Sequence, residues 1–303
     1  MTDLPHDPRP VGTPIDLEPG LRCILAPNPS PMTFTGTNTY IVGTTGLVVI
    51  DPGPLSDAHL DAILGAVDAG QRITHIVVTH THIDHSPLAR PLAKATGAPV
   101  FAFGGPEDGR SPVMQALAAS GLAGGGEGID ADFTPDQVIG DGDMITGDGW
   151  TLEVIHTPGH LGNHIALGWG DACFSADHVM GWATSLVSPP DGDLTDFMAS
   201  CAKLRQRDWR VFYPGHGAAI SDPAARLDWL VAHRREREAQ VLDALAEGPA
   251  TAAELAARIY TEVPAALLPA AERNVFAHLI DLNGKSRVSA SGSVGISARF
   301  FLP

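Results

Sequence analysis

Basic residues are scarce in this chain: 19 lysines and arginines face 35 aspartates and glutamates, a net charge of −16. A protein built mainly to grip a nucleic-acid backbone needs clustered Lys and Arg, so that class is disfavoured. Single-stranded RNA can still be met at a locally neutralised metal site, because bound cations can be the largest local charges there. Cysteine is scarcer still. Cys23, Cys173 and Cys201 are odd in number, far apart and without Cys-x-x-Cys spacing. That argues against a disulfide framework or a zinc knuckle and leaves three reduced thiols. No stretch has the ~18 continuous apolar residues of a membrane span, and Met1–Pro14 is polar and proline-rich with no apolar signal core. The expectations are a cytoplasmic protein and no membrane association.

What the chain does have is ordinary core material. With 303 residues, 44% of them hydrophobic and 18% charged, it is long enough for one large domain, or for one of about 230 residues plus a small one. Residues 1–14 read as an extended arm, since Pro5, Pro8, Pro10 and Pro14 each remove a backbone donor.

The most informative stretch is Ile76-Val77-Val78-Thr79-His80-Thr81-His82-Ile83-Asp84-His85. Its first half has the apolar, β-branched run of a buried strand, predicted over Ile73–Thr79. Its second half gathers His80, His82, Asp84 and His85, all metal-ligand types. A lone His-x-His is a weak signal, more often a hydrogen-bonded pair than a site. Three histidines and an aspartate within six positions, with no evident structural gain from grouping them, point to metal. His80 and His82 can point the same way if the strand alternation continues, while Asp84 and His85 lie past a turn. Two neighbouring ions suit that arrangement better than one tetrahedral site, which needs only three protein ligands and a water.

Three more strand–turn junctions carry such residues. Leu152–Ile155 leads to His156-Thr157-Pro158-Gly159-His160, Ala172–Ala176 to Asp177-His178, and Val211–Tyr213 to Pro214-Gly215-His216-Gly217. Short strands are also predicted at Leu21–Leu25, Thr39–Val42, Leu47–Ile50 and Val100–Phe103. Helices are predicted over Asp57–Ala69, Pro87–Thr96, Val113–Ala119 and Asp196–Arg207. Strands alternating with helices indicate a layered α/β architecture. Asp51, in the Asp51-Pro52-Gly53 corner, is either a turn residue or a buried acceptor for a ligand histidine. The Gly/Ala/Ser-rich segment 104–130, with Gly124-Gly125-Gly126, reads as a tolerated insertion rather than a cover for the site. From Pro223 to about Glu247 a long helix is expected, then a helix capped by Thr251, a third ending near Leu282, and an alternating hairpin over Lys285–Phe301. Helix, helix, helix, hairpin is a winged-helix pattern. Its charges cancel from Val231 onward, so packing or a homodimer contact is favoured over nucleic-acid recognition.

His80-Thr81-His82-Ile83-Asp84-His85, the Thr157–His160 turn, Asp177 and the Pro214–Gly217 turn together resemble the metallo-β-lactamase superfamily, over about residues 20–220. Thr35-Gly36-Thr37-Asn38-Thr39-Tyr40 and the winged-helix-like tail resemble its β-lactamase-like subgroup, which includes a mitochondrial single-strand endoribonuclease. The resemblance implies an α/β protein: an αββα sandwich at 15–222 followed by a winged-helix-like domain at 223–303. It implies two divalent metal ions, zinc first, with iron or manganese also suited to His and Asp ligands. His80, His82 and His160 would hold one ion and Asp84, His85 and His216 the other, with Asp177 bridging. Asp84 would also orient a metal-bridging hydroxide as a catalytic residue. Common zinc β-lactamases place cysteine where this chain has Asp177, which counts against antibiotic hydrolysis. Alanine stands at position 176, where the subgroup leads one to expect glycine.

The expected activity is hydrolysis of an ester, thioester or lactone of a small metabolite, with Met180-Gly181-Trp182 able to pack on an acyl group. Cleavage of single-stranded RNA is the alternative, and a metal-loaded binding protein without turnover a minor one. His164 and His178 either support the site or serve the core; His156 falls outside the ligand pattern, and His6, His59, His75, His233 and His278 carry no motif.

Overall fold

The computed structural model describes residues 9–125, 128–262, 264 and 268–303. Residues 1–8 of the expected arm, and Gly126 of the glycine run, lie outside the described residues. Residues 9–14 run beside the first sheet, where the Gly12 N–H donates to the Leu25 carbonyl (2.9 Å).

The first sheet contains β1 (Ile15–Glu18), β2 (Leu21–Leu25), β3 (Asn38–Val42), β4 (Gly46–Ile50), β5 (Arg72–Val77), β6 (Val100–Ala102) and β7 (Gln137–Val138), in that spatial order. β1 to β4 are antiparallel, and β4 to β7 run parallel. Helices α1 (Asp57–Gly65), α2 (Ala89–Thr96) and α3 (Pro112–Ala119) lie among them in sequence. The second sheet has the order β12-β11-β10-β9-β8, from β8 (Met144–Thr146), β9 (Thr151–His156), β10 (Ile165–Trp169), β11 (Ala172–Ala176) and β12 (Val211–Pro214). Helix α4 (Leu194–Arg205) follows β11.

Burial explains the layering. β3, β4 and β11 are buried at every residue, as strands covered on both faces must be. Tyr40, Val42, Val48 and Ile50 face Leu152, Val154, Leu167 and Phe174 between the sheets. Ile41, Leu47, Val49 and Ile76 turn outward onto Ile63 of α1 and Leu92 of α2. Cys173 and Phe212 turn outward onto Phe197, Cys201 and Leu204 of α4. All three cysteines are buried and none is in a disulfide.

The C-terminal module comprises α5 (Pro223–Ala246), α6 (Ala252–Ile259), α7 (Leu268–Gly284) and the hairpin of β13 (Ser289–Ala290) and β14 (Phe300–Phe301). Thr251 and Glu254 form a reciprocal capping box on α6. Among the described residues no helix is long and apolar enough to cross a membrane.

Local differences from expectation have local causes. The helix expected to Ala69 stops at Gly65, because a turn follows in which the Gln71 N–H meets the Asp68 carbonyl (2.9 Å). α4 starts two residues early because the Asp193 side chain caps it on the Thr195 N–H. Parts of the glycine-rich segment expected as a tolerated insertion are tied to the rest of the chain. Met114 and Leu117 of α3 pack into the core of the C-terminal module, and the Asp130 N–H donates to the Thr81 carbonyl (2.8 Å).

Strand direction positions the site. β4 and β5 are parallel, so Asp51 and the His80–His85 segment emerge at one edge. β9 and β11 both run antiparallel to β10, and β11 is parallel to β12. His160, Asp177 and His216 therefore emerge together at the corresponding edge of the second sheet. Backbone bonds join the edges: Asn38 N–H to the Gly215 carbonyl (2.7 Å) and Ile165 N–H to the Thr79 carbonyl (2.9 Å).

Candidate metal centre

β5 ends at Val77, earlier than predicted, so His80 and His82 lie in the turn rather than on the strand. They nevertheless converge: His80 Nε2 lies 3.1 Å from His82 Nδ1, which lies 3.1 Å from His160 Nε2. Asp177 Oδ2 is 3.7 Å from His160 Nε2. On the other side, His85 Nε2 is 3.2 Å from Asp84 Oδ2 and 3.4 Å from Asp177 Oδ1. His216 Nε2 is 3.2 Å from both Asp84 Oδ2 and Asp177 Oδ2. All seven predicted residues are buried and brought together. They make up two groups able to hold a metal ion, one of His80, His82, His160 and Asp177, the other of Asp84, His85 and His216, and His80 and His85 also meet Asp51 in a third.

The remaining ring nitrogens show why these contacts are not ordinary hydrogen bonds. Nδ1 of His85 meets Asp51 Oδ2 (2.9 Å), that of His160 the Leu186 carbonyl (2.8 Å), and that of His216 the Gly36 carbonyl (3.1 Å). His80 Nδ1 meets the Thr79 hydroxyl (3.0 Å), whose own proton goes to Asp51 Oδ2 (2.7 Å). Each of these four rings therefore spends its proton outward on an acceptor and turns a lone pair inward. Lone pairs facing lone pairs need a cation between them. His85 Nε2, His216 Nε2, Asp84 Oδ1 and Asp177 Oδ1 are buried without a hydrogen-bond partner. This donor set fits divalent metal.

Electrostatics agrees. Burial opposes charge on His216, but Asp177 and Asp84 push its pKa up to about 10. Burial likewise opposes charge on His85, yet Asp84, Asp177 and Asp51 hold it well above the ordinary range. Burial and the neighbouring His160 instead push His82 down to about 3. The carboxylates around His85 and His216 favour a positive charge there, while burial and mutual repulsion keep the His82 ring neutral, the state in which an imidazole ligates metal.

Asp51 is an acceptor for a predicted ligand histidine rather than a plain turn residue. Its oxygens are engaged by the Thr79 N–H (2.7 Å), the Thr79 hydroxyl and His85. Ala176, just before Asp177, has φ of 42°, which supplies the physical reason for a glycine there. His164 supports the site's edge, its Nδ1 on the Thr157 hydroxyl (2.9 Å) and its ring 5.1 Å from that of His80. His178 packs on Phe197 in the core beneath α4. His156 stacks on Phe103.

A cavity of about 170 Å³ opens beside the first group, with Met32, Met180, Trp182 and Leu186 in its wall next to His82, His160 and Asp177. Asn274 of α7 also lines it. Sequence reasoning reached Met180 and Trp182 but not Leu186, whose carbonyl orients His160, nor Thr37, whose hydroxyl lies 3.2 Å from Asp84 Oδ2. The alternation of Thr37 with Thr39 where β3 begins was the available signal.

Comparison with known proteins agrees with this architecture. The metallo-beta-lactamase superfamily matches residues 32–216, and the beta-lactamase associated winged helix domain matches residues 251–296. The chain is 32% identical to the beta-lactamase-like protein 2 homolog of Drosophila melanogaster, over 88% of this chain and 90% of that one. It is 30% identical to an atrochrysone carboxyl ACP thioesterase of Aspergillus fumigatus, over 82% and 76% of the two chains. A metallo-beta-lactamase family protein from Thermus thermophilus superposes with a TM-score of 0.75 at 25% identity, covering 95% of this chain and all of that one. The chain belongs to the metallo-beta-lactamase superfamily and has the αββα sandwich followed by a winged-helix domain.

Proposed function

We propose that this superfamily member is a dinuclear metal-dependent hydrolase of a small acyl substrate, a thioester before an ester or lactone. One observation carries the reading: seven buried His and Asp side chains converge beside a small cavity with largely apolar walls, and four of them (Asp84, His85, Asp177 and His216) hold a buried polar atom without a hydrogen-bond partner. His80, His82 and His160 would hold one ion and Asp84, His85 and His216 the second, with Asp177 reaching both. Zinc is the first choice, and iron and manganese suit the same donors. Bound divalent ions supply the positive charge that acidifies water into a nucleophile near neutral pH and polarises the attacked carbonyl.

The chain's own residues do the positioning. Asp84 is steered by the Thr37 hydroxyl at Oδ2, which leaves its partnerless Oδ1 to accept a proton from water and orient it. Thr79, Asp51, Leu186 and Gly36 lock the ring orientations that aim each lone pair. The cavity is below the ~300–1,000 Å³ of typical drug-sized ligand sites, which favours a short acyl chain. The thioesterase name carried by the Aspergillus relative supports the thioester choice.

Chelation tests the reading. Dialysis against a chelator should abolish thioester hydrolysis, and zinc should restore it with a break at about two equivalents per chain. Full activity in metal-free protein would overturn it.

A further inference from the structure

The C-terminal module contributes a polar group to the cavity. Asn274 lines it together with Ser185 and Leu186 of the loop after β11. Behind Asn274 lies Arg234 of α5, 4% exposed, with no carboxylate partner among the described residues. Its guanidinium sits 5.1 Å from the Phe197 ring centroid, donates Nη1–H to Asn274 Oδ1 (3.2 Å), and donates Nη2–H to the Ser185 carbonyl. A buried cation without a counter-ion is costly, so its placement needs a compensating role.

Guanidinium groups only donate. The amide oxygen of Asn274 must therefore face Arg234, which turns the NH2 group the other way. One N–H makes a long contact of 3.3 Å to the Ala270 carbonyl a turn back, and no acceptor among the described residues takes the other. A fixed donor is thus presented at a cavity whose wall also includes His160 and Asp177. The Arg234-bound loop is tied to the same centre, since the Ser185 hydroxyl donates to the Asp177 carbonyl and the Leu186 carbonyl accepts from His160.

We propose that Asn274 is a specificity residue: its amide N–H, aimed by Arg234, binds an acceptor oxygen on the substrate's acyl chain. The site then selects short acyl groups bearing a keto or carboxylate oxygen over plain alkyl ones, with Met180 and Trp182 holding the hydrocarbon part. The inference rests on the hydrolase reading for the reaction, but its binding arm stands without turnover.

The test compares N-acetylcysteamine thioesters of butanoate, 3-oxobutanoate and succinate as substrates, and the three free acids as ligands by calorimetry, all with zinc-loaded protein. Wild type should favour at least one oxygenated acyl group over butanoyl by about tenfold or more in kcat/KM, mainly through KM, and bind that acid correspondingly tighter. Preference for 3-oxobutanoate alone assigns a neutral keto acceptor, and preference for succinate a carboxylate. Asn274→Ala should bring both ratios close to one. Asn274→Asp, the same shape with Arg234 now ion-paired, should fold and lose the preference as well. If the three acids bind wild type equally, or if either variant keeps the wild-type preference, the proposal is overturned even with hydrolysis intact. If no thioester is cleaved but the binding preference is present and lost in the variants, the hydrolase reading fails and the Asn274 assignment stands.

Discussion

Replacing Asp51 by alanine removes one acceptor from three donors at once: the Thr79 N–H, the Thr79 hydroxyl and His85 Nδ1. His80 is affected through Thr79, so both metal groups lose an orienting partner. The expected outcome for Asp51→Ala is metal affinity lower by about 10–100-fold in competition with a chromophoric chelator. An unchanged affinity would show that packing alone aims these rings. His59 illustrates a different residue-scale effect. Its Nε2 meets the Thr39 hydroxyl (2.8 Å), whose proton goes to the Asp51 carbonyl, while Nδ1 is buried without a partner. Burial lowers its pKa from 6.5 to about 4. Between those values the unfolded chain binds more protons than the folded one. Its contribution is therefore complete above about pH 6.5 and is lost as pH falls toward 4, on the order of 3 kcal/mol at the limit. In chelator-treated protein, the urea midpoint of wild type should drop more from pH 7 to pH 5 than that of His59→Gln. Equal drops would remove His59 from the account.

At the scale of elements, turns set the precision of the site. Gly215, between β12 and His216, has no room for a side chain: a Cβ there would lie 2.1 Å from Asp177 Oδ1 and 2.8 Å from His85 Cε1. Gly215→Ala should therefore push two metal-site side chains apart, costing at least about tenfold in metal affinity while the far-ultraviolet dichroism is retained. Activity and affinity at wild-type levels would contradict this geometry. The strands that deliver the ligands were legible because buried parallel strands write continuous apolar runs, and because His and Asp cluster visibly where those runs stop. Their ends were less legible. β5 ends at Val77 although the apolar run continues to Val78, whose N–H still donates to the Phe101 carbonyl (2.9 Å). The long-range partners were not legible at all. The Leu186 carbonyl becomes an acceptor for His160 only through the path of a loop, and Met114 and Leu117 meet the C-terminal module only through tertiary packing.

At the scale of the whole molecule, the C-terminal module and the sandwich share a boundary that touches the chemistry. Asn274 of α7 reaches the cavity with Arg234 of α5 behind it, and Thr195 of α4 donates to Asp281 of α7 (2.8 Å). This placement sets one polar side chain of the winged-helix module, Asn274, in the cavity wall beside His160 and Asp177. The sequence pattern made the module's helices and hairpin visible but not its docking, because contacts between distant segments leave no period to read. The central claim, a metal-dependent hydrolase of small acyl substrates, meets its most direct test in paired assays on one zinc-loaded preparation and its Asp84→Ala counterpart. An acyl thioester and a fluorescent single-stranded RNA would be offered side by side. Thioester turnover that falls by about 10²-fold or more in Asp84→Ala, with the RNA left intact by both, is the predicted result. RNA cleavage lost in Asp84→Ala without thioester turnover, or thioester hydrolysis indifferent to the substitution, would contradict the account.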